Sequence, residues 1–96
     1  MGLFNRENQV KARFALRQMR RRAKGLTNEQ LDLIDRALGS NDVMDGLADY
    51  IEVEEEILAS EPRAGGPIMD AFAMLIQDFI QNPEKWIKII MMLFAV

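Results

Sequence analysis

Charge in this chain is sorted into three consecutive blocks, and that order limits which segments can lie side by side. Residues 1–25 carry eight basic side chains (Arg6, Lys11, Arg13, Arg17, Arg20, Arg21, Arg22 and Lys24) against Glu7 alone. Residues 26–61 carry eleven acids against Arg36. Residues 62–96 balance three charges of each sign and are densely apolar. A basic, an acidic and an apolar block describe a chain organised to pair surfaces.

Ninety-six residues suffice for one small domain with a modest core. Leu, Ile, Met, Ala, Glu, Asp and Arg dominate, while Thr, Tyr and Val are scarce, so the expected class is all-α, a bundle of four or five short helices. Cysteine is absent, which excludes disulfides, thiolate metal sites and thiol nucleophiles. Histidine is absent too, removing the usual general base near neutral pH and the commonest metal ligand. The expectation is therefore a protein without catalytic activity, cofactor, metal or small-molecule substrate. The N-terminus is polar and basic with no apolar stretch behind it, unlike a secretory signal. Arg6 stands where a myristoylation motif wants Ser or Thr. The default expectation is a cytoplasmic or particle-associated location.

Helix signals divide the first sixty residues. A first helix is expected from near Asn5 to about Lys24, stopped by Gly25. Its apolar stripe is Ala12, Ala15, Leu16, Met19 and Ala23, with Val10 and Phe14 on the opposite side. Thr27 and Gln30 form a capping box for a short helix anchored by Leu31, Ile34 and Leu38 and ended by Gly39. Ser40-Asn41-Asp42 offers the next N-cap, and a third helix to about Ser60 is expected to bury Val43, Leu47, Tyr50, Ile51, Ile57 and Leu58. Gly46 near its start costs about 1 kcal/mol relative to Ala, too little to break it. Residues 1–60 thus read as a charge-segregated three-helix module. A Pro/Gly linker covers 61–67, with Pro67 placed to start the next helix.

Residues 68–96 read as an apolar amphipathic segment. On one helical wheel Asp70, Gln77, Gln81, Glu84 and Lys88 share a narrow polar stripe, kept in phase across Asn82-Pro83. That phase predicts a long, very apolar C-terminal helix kinked at Pro83, with two packed helices as the alternative. The run is too short and too charged for a membrane span. One reading makes it the core element around which the first three helices fold; its apolar face exceeds what three short helices easily cover, which points to contact with another chain or lipid, through Phe72, Leu75, Phe79, Trp86, Ile90 and Phe94.

Two charge stripes share one spacing. Arg13, Arg17, Arg20 and Lys24 repeat at the same intervals as Asp45, Asp49, Glu52 and Glu56, so the two helices can pair antiparallel within the chain or between subunits. A competing reading gives Arg20-Arg21-Arg22 to nucleic-acid phosphates, but no aromatic interleaving beyond Phe14 accompanies it. Asn41-x-Val43-x-Asp45-Gly46 with Glu52 echoes a calcium loop, yet Val43 sits where a liganding oxygen is needed.

Together these features predict a non-catalytic structural or assembly subunit. It associates through its C-terminal helix with copies of itself or a larger partner, for example in a viral or other large particle. The alternatives are a peripheral membrane protein using the C-terminal helix and a nucleic-acid-binding accessory using the basic first helix.

Overall fold

A computed structural model describes residues 3–60 and 71–95, with the side chains of 8–58 and 71–95. The linker at 61–67 and the opening of the apolar segment lie outside the described residues. Five helices follow one another: α1 Leu3–Arg22, α2 Asn28–Leu38, α3 Asn41–Ser60, α4 Ala71–Gln81 and α5 Pro83–Ala95.

Local chemistry sets the boundaries. After α1, Gly25 adopts φ +82°, a left-handed conformation that a Cβ disfavours, and the chain reverses there. The Thr27 hydroxyl accepts from the Gln30 N–H (3.1 Å) while the Thr27 N–H donates to the Gln30 side chain (2.9 Å), a complete capping box. Gly39 closes α2 by donating its N–H to the Asp35 and Arg36 carbonyls, and the Ser40 hydroxyl accepts from the Val43 N–H to open α3. Asn82 stands between α4 and α5 outside both helices, and Pro83 opens α5, whose first turn has no use for the missing N–H.

All five helices feed one core. Ala12, Ala15, Leu16 and Met19 from α1 meet Ile34 and Ala37 from α2, Val43, Met44, Leu47 and Ile51 from α3, and Leu75, Phe79, Trp86 and Ile90 from the last two helices. The three N-terminal helices therefore share their interior with the C-terminal segment. Each fully buried large side chain contributes roughly 1.5–3 kcal/mol. Packing reaches beyond neighbours in sequence: α4 lies against α1 as well as α3, and α5 against α2 and α3. Helices α3 and α5 run antiparallel, with Lys85 near Glu54 and Leu93 against Gly46.

Two expectations on α3 need correction. Tyr50 is 37% and Ile57 47% exposed, whereas Met44 and Ala48 are buried. At about 100° per residue the inward sector of α3 centres on Leu47 and Ile51. Tyr50 and Ile57 fall toward its edge.

Candidate interaction surface

The C-terminal aromatic and aliphatic set expected to form an interface lies largely inside. Leu75, Phe79, Trp86 and Ile90 are 0% exposed, and Phe72 and Phe94 are half-buried against the same core. The break at Asn82 lets α4 and α5 turn their apolar faces to different neighbours, so α1, α2 and α3 cover more apolar surface than one straight rod would offer them. The indole of Trp86 stacks on Phe79 with centroids 3.9 Å apart and 12° between planes. Its Nε1–H donates to Asp78 (2.9 Å), which also accepts from Asn82 (2.8 Å) and Lys85 (2.9 Å). Burial pushes the Asp78 carboxyl up, but the hydrogen bonds from Lys85, Asn82 and Trp86 and the charge of Lys85 outweigh it and hold it below its ordinary value. This polar corner fixes the α4–α5 junction and is structural. No helix among the described residues is long and apolar enough to cross a membrane.

The charge stripes behave differently from a simple intramolecular zipper. Arg13 donates to the Leu38 carbonyl (2.5 Å) and to Asn41 (3.0 Å), where the two chain segments around Ser40 pass the first helix. Arg20 forks onto Asp35 of α2 through Nε (2.7 Å) and an Nη (3.0 Å), and that bond and charge hold the guanidinium more firmly protonated than usual. Between α1 and α3, besides the Arg13–Asn41 bond, the polar contacts among the described residues are Gln9 with Asp45 and Lys11 with Glu55. Neither contact joins the two stripes, because matched spacing states that two faces can pair but not that they do. Lys11 also sits over the Phe72 ring, which in turn lies 5.9 Å from Phe14.

What remains outside is charged and sorted. Arg17, Arg21, Arg22 and Lys24 are exposed, and none makes an ion pair among the described residues. On α3, Asp42, Asp45, Asp49, Glu52 and Glu56 are all exposed and recur at alternating intervals of three and four residues, a continuous acidic stripe along the helix. Only Asp45 of these has a described partner, Gln9. Exposed apolar side chains border both stripes: Val10 (64%) and Phe14 (46%) on α1, Val53 (55%) on α3. The arginine triplet assigned to nucleic acid is divided, since Arg20 is tied to Asp35 while Arg21 and Arg22 are free of ion pairs among the described residues.

Nothing else among the described residues gathers chemistry. The calcium-like run from Asn41 to Glu52 is helical throughout, so its oxygens cannot wrap an ion. An open groove between α2 and α5 is lined by Leu33, Arg36, Ile87 and Met91 among others, and no polar side chain is buried among the described residues. Comparison with known protein families, with curated proteins and with solved structures gave no match to this chain.

Proposed function

We propose that this protein is a non-catalytic subunit of an assembly built from copies of itself, joined through its segregated charged faces. The observation that carries this reading is that the basic outer face of α1 and the acidic stripe of α3 both remain exposed and largely unengaged after folding. A chain needing charge only for solubility has no reason to sort it by sign, and interspersed signs serve that purpose better. Opposed single-sign faces steer association and penalise wrong orientations. The contact thus shifts from the C-terminal aromatic residues, which the fold consumes, to the outer faces of α1 and α3.

The test is the mass of the full-length protein by light scattering. A defined oligomer in low salt that dissociates near 1 M salt, where the screening length falls to about 3 Å, supports the reading. A monomer across all concentrations and salts overturns it. An accessory that binds nucleic acid is the second reading, favoured by the free Arg21 and Arg22; it predicts a salt-sensitive shift of duplex DNA by the monomeric protein.

A further inference from the structure

We infer a specific register for that association: α1 of one copy lies antiparallel on α3 of a second copy, with Lys24 opposite Asp49, Arg21 opposite Glu52 and Arg17 opposite Glu56. This rests on the self-assembly reading above and names the surface and its partner.

The spacing supplies the first argument. Read backwards from Lys24, just past the end of α1, into the helix, Lys24, Arg21 and Arg17 step by three and then four residues; read forwards along α3, Asp49, Glu52 and Glu56 do the same. Intervals of three and four keep Asp49, Glu52 and Glu56 on one face of α3, and Arg17 and Arg21 share one face of α1, so two pairs form along a straight contact and Lys24, two residues past the end of α1, extends it. The same chain cannot make it, because α1 and α3 turn their inner faces to a shared core and point these six side chains to solvent.

Direction is set by what accompanies the charges. A parallel alignment would also match intervals, placing Arg17 on Asp45 and Arg21 on Asp49. Asp45, however, already accepts from Gln9, and Phe14 would then fall beside Asp42. In the antiparallel alignment like flanks meet, because two facing helices of opposite direction bring the same angular side together. Phe14 and Val53 both lie on that side, displaced by a similar angle from their charge stripes. Their exposed surfaces, 46% and 55%, then border the ion pairs and reduce their contact with water. Opposed helix dipoles also favour this direction over the parallel one.

Because the contact joins two different faces, each copy keeps one of each to offer. Two copies can satisfy both contacts about a two-fold axis, or successive copies can extend a chain.

Charge exchange within a single polypeptide tests the register. Sedimentation in low salt is compared for wild type, Arg21→Glu, Glu52→Arg, the double variant R21E/E52R and the control R21E/D42R. Both double variants keep the wild-type net charge, so a general change in charge cannot separate them. The expected result is association by wild type, at least a tenfold weakening in each single variant, recovery in R21E/E52R and none in R21E/D42R. Circular dichroism and Trp86 emission confirm that each variant is folded, as expected for exposed positions. Association that persists unchanged in both single variants overturns the register while leaving self-assembly standing. Recovery in R21E/D42R but not in R21E/E52R does the same and redirects the pairing. A wild type that stays monomeric overturns both the register and the assembly reading, and a DNA shift lost in R21E would then assign the basic face to nucleic acid.

Discussion

Replacing Asp78 with alanine removes one acceptor shared by three donors at the junction of α4 and α5. The Trp86 Nε1–H is the donor that matters most, because Trp86 is fully buried and Asp78 is its described acceptor. An unsatisfied buried donor costs about 1–3 kcal/mol. Loss of the half-exposed pair with Lys85 adds about 0–1 kcal/mol. The expected destabilisation is therefore about 1–4 kcal/mol, a large share of the roughly 5–15 kcal/mol typical of a whole domain. Trp86 is the sole tryptophan, so urea unfolding followed by its emission reports the perturbed site directly. At a slope near 1–1.5 kcal/mol per molar urea for a chain of this size, the midpoint should fall by about 2 M. In a Trp86→Phe background, followed by circular dichroism, most of the Asp78→Ala effect should vanish. A loss below about 0.5 kcal/mol, or full additivity of the two substitutions, would show that the corner does not hold the junction. Asp78→Asn refines the test through pH. The folded carboxyl titrates below its unfolded value, so its charge stabilises above about pH 4 and the benefit is lost as pH falls through the folded pKa. The gap between wild type and Asp78→Asn should thus be constant near neutrality and close in acid. A gap that widened in acid would contradict the assignment.

Two further substitutions probe packing and capping. A Cβ built at Gly46 meets Leu93 Cδ2 at 2.6 Å, so Gly46→Leu should cost about 1–3 kcal/mol by forcing α5 away from α3. In Gly46→Ala the displaced end of Leu93 opposes a helix-propensity gain of about 1 kcal/mol, and thermal unfolding of the two variants should rank them clearly. Thr27→Ala breaks the capping box and should lower stability by about 1 kcal/mol, with hydrogen exchange rising first in the opening turn of α2. An unchanged exchange pattern there would mean that tertiary contacts alone hold that end.

Helix existence and ends were legible because they depend on neighbours in sequence. Thr27 with Gln30, Gly39, Ser40 and Asn82-Pro83 each announce a boundary through backbone chemistry confined to a few residues, and the structure has its helices begin and end around them. The apolar stripe of α1 is buried as its spacing indicates. Partner choice was not legible. Wheel phase across Asn82 is compatible both with one helix kinked at Pro83 and with two packed helices, since phase is blind to the direction the chain takes after a break. The large side chains of α4 and α5 resemble surplus surface in sequence, yet α1, α2 and α3 cover them from different sides. Gly46 read as a small helix penalty, and its role beside Leu93 arises from residues far apart in sequence. The stripes at Arg13–Lys24 and Asp45–Glu56 matched in spacing, but Arg13 and Arg20 found nearer acceptors around α2. Proximity in the folded chain overrode periodicity.

The order in which the helices pack bears on how quickly the native state can be reached. Helical proteins built from consecutive hairpins close only short stretches of chain, and their folding is correspondingly fast. Here α1 must meet α3 and α4, and α2 must meet α5, so long intervening segments have to be drawn in before the interior is complete. The entropy of those closures falls on the rate-limiting step. An all-helical protein of this design should refold more slowly than a simple up-and-down bundle of equal length. Until α4 and α5 dock, the inner faces of the first three helices stay open to intermolecular contact.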